Sequence, residues 1–427
     1  MTSDGIGDRR STSRSAAAPA PAPAPAPVPA VQVPRRRFAG VTAAALAVVL
    51  VLSGVSPVAA PAAALEPGPT PTIQGPQPGW PRLIGAEAAA VLLLDTVTGQ
   101  ILVATNEDER RPVASTIKVL TALTVLERTD LDDEVTVGEE VVDVPGSGVG
   151  LEPGDTWTVE ELVDALIARS GNEAAEALAV HVAGSRAAFL ELMEQDAAAL
   201  GVPGLELVSV SGLDDDNLLS ADDLARISAA ALVHPELGPV LAREVVTLPG
   251  QGALPTRNEL LARYPDATGV KTGFTSAAGY SLIGSAEREQ RELVAVVLGA
   301  GEDPARFELA ARLLDLGFDA YEPRLLEAEV RFAIAGGSVA LEVAEHEVVV
   351  PAGESASLSL PITARPPEGD VTVPIVVGDR EVGRLPAVLD RSRAPEPVEA
   401  GAATIGRAAV DGVYAALRAR AAAGGLG

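Results

Sequence analysis

The sequence predicts an α+β fold in which a large domain with a helical insertion is followed by a small all-β domain. Apolar runs typical of strands stand at both ends of a long helical stretch, and the whole pattern covers about residues 84–320. Short runs of alternating apolar residues, separated by Gly and Pro, then occupy residues 325–390. A chain of 427 residues is too long for one ordinary core, which agrees with more than one folded domain.

The segment before these domains has the composition of an export signal. Residues 1–34 hold a run of alternating Ala and Pro that cannot form a packed core, which predicts a disordered cytoplasmic lead. A basic cluster, an apolar core and the small residues Ala62 to Ala64 make residues 35–64 a signal sequence, with an uncleaved membrane anchor as the alternative. Residues 65–83 are rich in Pro and Gly and are predicted to be a linker. Either interpretation places the remaining chain outside the cytoplasm.

The elements of the large domain follow from their periodicity. Two strand-like runs that flank a turn, Ala90–Leu94 and Gln100–Ala104, predict a hairpin. Helical spacing dominates from Ser115 to about Leu248. Two strands and a helix complete the domain, at Tyr280–Ile283, Leu293–Leu298 and Phe307–Leu316. After the small β domain, residues 391–427 form a tail that either is weakly structured or carries a helix lying on a membrane surface.

The composition excludes several classes of function. The formal net charge of -27 argues against nucleic acid as a partner, because phosphate binding needs clustered Lys and Arg. The absence of Cys excludes a thiol nucleophile, a disulfide framework and a metal held by Cys. Only two of the 32 Lys and Arg residues are lysines, Lys118 and Lys271. Because arginine keeps its proton at ordinary pH whereas a desolvated lysine can lose it, these two positions are candidates for chemistry.

Ser115 and Lys118 form the first candidate motif. A proline and a small residue precede the serine and an apolar helical run follows the lysine, which predicts that both lie on one face at a helix N-terminus. A serine hydroxyl is a poor nucleophile until a neighbouring base takes its proton. The positive end of the helix helps to lower the pKa of a lysine placed there. A capping serine beside a solvated lysine is the structural alternative.

Ser170 and Asn172 form the second candidate motif. The intervening Gly171 permits a tight turn that points both side chains in the same direction. Ser170 is a candidate for passing a proton between Lys118 and a leaving amine. Asn172 is a candidate for holding both the lysine and the amide of a substrate. An ordinary turn with an N-cap for the next helix is the structural alternative.

Lys271, Thr272 and Gly273 form the third candidate motif, just before a predicted strand. At a strand edge, a lysine and a threonine can bind a carboxylate through charge and hydroxyl together. Gly273 lets a substrate backbone approach closely. A main-chain N–H just after it, at Phe274 or the next residue, can join that of Ser115 as an oxyanion hole. A polar hairpin loop is the structural alternative.

In this order, the three motifs resemble those of the penicillin-binding proteins and the serine β-lactamases. Their surroundings are more similar still to the low-molecular-mass D,D-carboxypeptidases, over about residues 84–320. The segments that carry this resemblance are Ala114–Lys118, Ser170–Ala175, Ser211–Asp215, Gly269–Thr275, Ala278–Leu282 and Val297–Ala300. The resemblance implies a β-lactamase/transpeptidase-like domain, with an antiparallel sheet and a helical subdomain. Many family members also carry a β-rich second domain, to which residues 325–390 correspond by pattern.

The resemblance implies a role for each motif residue. Ser115 would be the acylated nucleophile and Lys118 its base. The other sides of the cleft would be formed by Ser170, Asn172, Lys271, Thr272 and Gly273. Arg257 and Arg306 stand where the family often has arginines near the substrate carboxylate. The sequence departs from the family at Val208–Gly212, where an Asn-Pro or Asn-Thr usually precedes the Gly-Leu pair.

The function implied is that of a serine-type D-alanyl-D-alanine carboxypeptidase, which removes the terminal D-alanine of peptidoglycan stem pentapeptides through an acyl-enzyme. This reaction requires no metal or cofactor, and β-lactam antibiotics would acylate the same serine because their strained amide mimics the dipeptide. A D,D-endopeptidase shares all three motifs and differs in the shape of its cleft. A class A β-lactamase needs a deacylating Glu, to which no residue can be assigned. The non-enzyme alternative is an inactive cell-wall-binding protein in which residues 325–390 are the functional part.

Overall fold

The computed structural model describes residues 72–73, 76–334, 337–359 and 371–390. The predicted lead, signal or anchor, and tail, at 1–34, 35–64 and 391–427, lie outside these residues. The described residues belong to one compact unit. Within them, no helix is long and apolar enough to cross a membrane.

The described residues form eight helices and 17 strands, with 3₁₀ turns at Ala114–Ile117 and Glu139–Val141. The helices are α1 (Lys118–Leu126), α2 (Val159–Ala168), α3 (Asn172–Ala183), α4 (Arg186–Ala199), α5 (Ala221–Val233), α6 (Leu237–Leu241), α7 (Leu260–Arg263) and α8 (Asp303–Ala320). The strands are β1 (Thr72–Ile73), β2 (Ala90–Asp95), β3 (Gln100–Thr105), β4 (Arg111–Pro112), β5 (Glu134–Thr136), β6 (Thr156–Thr158), β7 (Leu218–Leu219), β8 (Val245–Leu248), β9 (Gly252–Pro255), β10 (Ala267–Thr275), β11 (Gly279–Arg288), β12 (Arg291–Ala300), β13 (Tyr321–Ile334), β14 (Gly337–Pro351), β15 (Ala356–Leu358), β16 (Val371–Val377) and β17 (Arg380–Asp390).

Five strands form the central antiparallel sheet, in the order β10-β11-β12-β2-β3. The inner strands are covered on both faces, which explains why their sequences are continuous apolar runs. On β2, Leu92 and Leu94 belong to the core shared with the helical subdomain. The alternate residues Val91 and Leu93 belong to the core shared with α8. The sheet is therefore a middle layer, with the helical subdomain on one face and α8 on the other.

Helix α1 lies at the centre of the helical subdomain, and all nine of its residues are buried. Its first residue is Lys118, and the 3₁₀ turn leads directly into it. The neighbouring helices α2 and α5 begin at capping boxes made by Thr158 and Ser220, which fix where each helix starts. Because α1 is packed on all sides, the core itself fixes the position of Lys118.

The residues after α8 contribute to a second, six-stranded antiparallel sheet, with the order β13-β14-β17-β16-β15 and with β1 paired to β17. The side chain of Gln100 on β3 joins this sheet to the central one. Its amide donates to the carbonyl oxygen of Val349 at 2.7 Å and accepts from the N–H of the same residue at 3.1 Å. Both sheets also contribute to one continuous apolar core. The second sheet is therefore packed against the central sheet by apolar burial and by the hydrogen bonds of one side chain to its main chain.

The α+β fold class expected from the sequence is confirmed, with two differences in detail. The stretch with helical spacing also contains two small two-stranded sheets, β5–β6 and β8–β9. The segment predicted to be a linker contains β1 and the buried Trp80, whose ring meets that of Tyr321 edge-on at 6.0 Å. The burial of one large aromatic side chain outweighs the flexible composition around it. A prediction based on Pro and Gly content does not detect the burial of a single aromatic residue such as Trp80.

Replacing Asp95 with Ala should destabilise the fold far more than removing a surface carboxylate. Asp95 is buried at the end of β2 and pairs with Nε of Arg291 at 2.7 Å. Its loss would leave a mostly buried guanidinium without a counter-ion. We expect the free energy of unfolding, measured by urea denaturation, to fall by about 3–5 kcal/mol.

The control for this prediction is Glu381→Ala, which breaks the exposed pair between Glu381 and Arg384. Exposed pairs contribute little, so the expected loss is below about 1 kcal/mol. Equal losses in the two variants would contradict a special role for the buried pair.

Candidate active site

Ser115 stands in the 3₁₀ turn that precedes α1, and its side chain is half-buried. The preceding Ala114 has a φ of 50°, an unusual conformation for a residue with a side chain. Two glycines allow other segments to approach this turn. A Cβ on Gly212 would lie 1.9 Å from the carbonyl oxygen of Ala114, and one on Gly273 would lie 3.2 Å from the nitrogen of Ser115. The turn that carries Ser115 is therefore held between a loop and strand β10, at points with no room for a side chain.

The side chain of Lys118 is fully buried and ends among three oxygen atoms. Its Nζ lies 2.9 Å from Oγ of Ser115, 2.7 Å from Oδ1 of Asn172 and 2.5 Å from the carbonyl oxygen of Ser211. Burial lowers the pKa of Lys118 well below its usual range, and the charge of Lys271 is the next largest cause. These surroundings favour the uncharged amine, which is the form that can act as a base.

The three contacts also set the direction of the amine's lone pair. An uncharged lysine has two N–H hydrogens and one lone pair. The carbonyl oxygens of Asn172 and Ser211 can only accept hydrogen bonds, so they take the two hydrogens. In that form the lone pair would face Oγ of Ser115, which lies 2.9 Å from Nζ, and the serine hydroxyl would donate to it. This is the arrangement that a base needs in order to activate a nucleophile.

The second motif lies in the turn between α2 and α3. Ser170 itself has a φ of 61°, whereas Gly171 has a φ of -58°. The tight turn therefore uses a left-handed serine, and the conformational freedom of the glycine is not needed for it. Asn172 donates through Nδ2 to the carbonyl oxygen of Pro145 at 2.8 Å, which leaves Oδ1 for the lysine. Ser170 is buried close by, but the described contacts of Lys118 do not include a hydrogen bond to it.

Strand β10 carries the third motif. Lys271 is buried, and its Nζ donates to the carbonyl oxygen of Thr272 at 2.9 Å. Burial, followed by the guanidinium groups of Arg257 and Arg306, lowers the pKa of Lys271 to about 7. Gly273 is the point at which the strand passes the turn that carries Ser115. Both lysines of the chain therefore lie buried in one site, and each has a pKa well below that of an exposed lysine.

Phe274 follows the third motif and is exposed, with its ring 4.4 Å from the ring of Tyr280. The next residue, Thr275, donates through its hydroxyl to the carboxylate of Asp215. This bond ties the end of β10 to the loop before β7. The end of the motif thus exposes an aromatic ring at the surface.

The two arginines predicted near the substrate have different surroundings. Arg257 is exposed, and its guanidinium donates to Oγ of Ser147 at 2.6 Å. Arg306 on α8 is buried, and it donates to the carbonyl oxygens of Gly273 at 3.0 Å and Ser281 at 3.2 Å. Arg257 therefore offers a charge at the surface of the site, whereas Arg306 joins β10 to β11.

Two parts of the site were not indicated by the sequence, the carbonyl of Ser211 and the loop at residues 145–150. The loop is packed onto the start of α3, where the carboxylate of Glu173 accepts hydrogen bonds from two successive N–H groups of the loop. A Cβ on Gly146 would lie 2.7 Å from Nδ2 of Asn172. The glycines that alternate along this loop were the available signal, because they permit close approach to other atoms.

Comparison with known sequences agrees with this geometry. Residues 78–302 match the family model described as D-alanyl-D-alanine carboxypeptidase. The chain is 36% identical over 233 residues to D-alanyl-D-alanine carboxypeptidase DacB2 of Mycobacterium tuberculosis, covering 52% of this chain and 80% of that protein. It is also 36% identical over 243 residues to D-alanyl-D-alanine carboxypeptidase DacC of Escherichia coli, covering 53% of this chain. That alignment spans 60% of the Escherichia coli protein.

Solved structures share the fold. Penicillin-binding protein 5 from Haemophilus influenzae matches with a TM-score of 0.65 and 28% identity, covering 72% of this chain and 97% of that one. The D-alanyl-D-alanine carboxypeptidase from Mycobacterium tuberculosis matches with a TM-score of 0.54 and 32% identity, covering 57% of this chain and 95% of that one. The transpeptidase-like fold expected from the three motifs is confirmed. The chain therefore belongs to the D-alanyl-D-alanine carboxypeptidase family of serine peptidases.

Proposed function

We propose that this chain removes the terminal D-alanine of peptidoglycan stem pentapeptides, with Ser115 as the acylated nucleophile and Lys118 as its base. The observation that carries the proposal is the 2.9 Å contact between Nζ of the fully buried lysine and Oγ of the serine. With its hydrogens directed to two carbonyl oxygens, the lysine supplies an uncharged base in contact with a hydroxyl. Membership of the carboxypeptidase family supplies the class of reaction.

The proposed reaction has two steps. As Oγ of Ser115 attacks the carbonyl carbon of the penultimate D-alanine, Lys118 takes the hydroxyl proton. The peptide C–N bond then breaks, and the amine of the terminal D-alanine leaves with that proton, for which Ser170 is the proposed relay. Water next attacks the acyl-enzyme ester, releases the shortened peptide and restores the serine. The N–H of Ser115 and one just after Gly273 are the proposed oxyanion hole.

We assign the binding of the substrate's terminal carboxylate to Lys271, Thr272 and Arg257. Among its described contacts, the ammonium group of Lys271 uses one hydrogen on a carbonyl oxygen, which leaves two for a carboxylate. Arg257 lies close enough to lower the pKa of Lys271. A carboxylate bound between these cations would relieve their repulsion. A site that requires a free carboxylate next to the scissile bond favours removal of a terminal residue.

The surroundings of the two carboxylates near Lys118 indicate that a penicilloyl-enzyme would be hydrolysed slowly and not turned over rapidly. Glu173 is engaged by the N–H groups of the loop at 145–150, and Glu176 pairs with Arg186 at 2.8 Å. A class A β-lactamase uses a Glu to activate the deacylating water. Because both glutamates have other partners, we expect a long-lived penicilloyl-enzyme.

We also propose that the chain acts outside the cytoplasm. Its substrate is a component of the cell wall, and residues 35–64 have the composition of an export signal. Removal of this segment would release the enzyme into the wall. Its retention would hold the enzyme at the outer face of the membrane.

Ser115→Ala should abolish acylation without unfolding the protein. The wild-type chain should gain the mass of one penicillin on Ser115 and release D-alanine from a stem pentapeptide. The variant should do neither, because no hydroxyl remains to attack. Mass spectrometry of the protein and of the peptide measures both events, and an unchanged melting temperature shows that the fold is retained.

A pentapeptide that ends in L-alanine is the substrate control and should remain intact. Rapid hydrolysis of penicillin by the wild type, with an untouched pentapeptide, would contradict the proposal in favour of a β-lactamase. The lack of both adduct and product would instead favour the inactive cell-wall-binding protein.

The dependence of kcat/KM on pH should be bell-shaped. On the acidic side activity falls because Lys118, whose pKa burial lowers, gains a proton and cannot accept one from Ser115. On the alkaline side activity falls as pH rises above about 7, because Lys271 loses the charge that binds the substrate carboxylate. The profile of kcat should have its alkaline limb at higher pH, because a bound carboxylate raises the pKa of Lys271.

The variant Lys271→Arg tests whether Lys271 causes the alkaline limb of this profile. Arginine keeps its charge throughout the range, so the alkaline limb should disappear whatever the height of the plateau. Steady-state release of D-alanine measures the profile. An alkaline limb that persists in the variant would show that another group causes it.

Arg257→Gln and Arg306→Gln should change different quantities. The first should raise KM for the pentapeptide about 10- to 100-fold, because a charge-assisted hydrogen bond contributes about 1.5–3 kcal/mol. The second should lower the melting temperature and kcat, because it removes the bonds that join Gly273 to Ser281. Calorimetry and steady-state kinetics distinguish these effects. A rise in KM with an unchanged melting temperature in both variants would show that Arg306 also contacts the carboxylate.

A further inference from the structure

Of the three oxygen atoms around Lys118, two belong to side chains and the third is the main-chain carbonyl of Ser211. The direction of a main-chain carbonyl is fixed by the orientation of its planar peptide unit. The unit that holds this carbonyl also holds the N–H of Gly212, and the two groups of a trans peptide point in opposite directions. Whatever binds the N–H of Gly212 therefore aims the carbonyl at the lysine.

The group that binds this N–H is the side chain of Ser209. Its Oγ accepts from the N–H of Gly212 at 3.2 Å and from that of Ser211 at 3.2 Å. Because these bonds use both lone pairs, Oγ donates its own hydrogen to Oγ of Ser211, also at 3.2 Å. One buried hydroxyl thus holds two successive peptide units, as in a turn organised by a serine side chain.

Ser209 is itself fixed by its neighbours. The fully buried Asn217 accepts from the N–H of Ser209 at 3.1 Å and donates to its carbonyl oxygen at 2.6 Å. Thr121, one turn beyond Lys118 on α1, donates to the carbonyl oxygen of Val210 at 2.6 Å. The backbone on both sides of the hydroxyl is therefore anchored, so the hydroxyl can impose its position on the next peptide unit.

We propose that Ser209 is a positioning residue for Lys118. Its hydroxyl aims the Ser211 carbonyl at Nζ, and this contact holds one N–H of the amine so that the lone pair faces Ser115. Without it the amine can rotate, and the lone pair spends less time toward the nucleophile. The inference rests on the proposed function, because it requires Lys118 to act as the base.

The alternative is that Ser209 only stabilises the loop, and the test must distinguish this role from the positioning of Lys118. The same loop packs against the nucleophile's turn, where Gly212 has a φ of 72° and leaves no space for a Cβ next to Ala114. A variant that disorders this loop would lose activity for a trivial reason. The separating readouts are therefore the division between kcat and KM, the pH profile, and rescue by a side chain that accepts the same two hydrogen bonds.

The experiment uses Ser209→Ala in the full chain. We expect kcat for D-alanine release, and the rate of acylation by penicillin, to fall about 10- to 100-fold, because a displaced reacting group costs about this much. KM should stay within about twofold, since no substrate contact is lost. The acidic limb should move to lower pH, because a carbonyl turned away from Nζ stabilises the ammonium form less. Ser209→Asn, whose side-chain oxygen can accept from the same two N–H groups, should restore most of the rate.

The matched control is Ser228→Ala, which removes a buried serine whose hydroxyl donates to the carbonyl oxygen of Leu224 within α5. It should keep the wild-type rates and pH profile. An active wild type with a Ser209→Ala variant of unchanged rate and unchanged acidic limb would overturn this inference alone. So would a loss of rate that parallels the melting temperature and is not restored by Ser209→Asn. A wild type that neither binds penicillin covalently nor releases D-alanine would overturn the proposed function and this inference together.

Discussion

The burial of one lysine side chain is the constraint on which the rest of the site depends. A charged amine is costly to remove from water, so burial lowers the pKa of Lys118 and favours the uncharged form, which still needs an acceptor for each N–H. Separate segments supply these acceptors, Asn172 at the start of α3 and Ser211 in a loop. A segment that moved away would leave a buried N–H unsatisfied, at a cost of about 1–3 kcal/mol. The hydrogen bonds that fix Nζ of Lys118 therefore also hold the loop at Ser211 and the start of α3 beside α1.

The two lysines of the chain are equally buried, so their different roles must come from their neighbours. Lys118 faces two carbonyl oxygens and a hydroxyl, which suits an amine that exchanges a proton. Among the described contacts, Lys271 has one carbonyl oxygen, which suits an ammonium group with hydrogens left for an anion. Lys271 lowers the pKa of Lys118, whereas Arg257 and Arg306 lower that of Lys271. The two lysines therefore differ in their hydrogen-bond partners and in the neighbouring charges that lower their pKa values.

The sequence predicted the parts of the fold and of the candidate site that depend on the type of side chain at each position. Continuous apolar runs indicated the doubly covered strands β2 and β12, and the scarcity of lysine singled out Lys118 and Lys271. The burial of Trp80 was not predicted, because it depends on a partner, Tyr321, that is distant in the chain. Arg306 was recognised as a candidate, but it donates to carbonyl groups of two strands, which only the folded sheet brings together. Main-chain carbonyl and N–H groups are the same in nearly every residue, so a sequence pattern does not indicate their direction.

The carbonyl of Ser211 constrains the sequence differently from a side-chain partner of the base. Replacement of a side-chain partner such as Asn172 removes the contact directly. Replacement of Ser211 keeps the carbonyl, so the constraint passes to the residues that orient its peptide unit. Gly212 is required because a Cβ there would collide with Ala114, and Ser209 is required for its hydroxyl. The proposed base and nucleophile are therefore recognisable by residue type, whereas the residues that we propose to position them are glycines and serines of ordinary appearance.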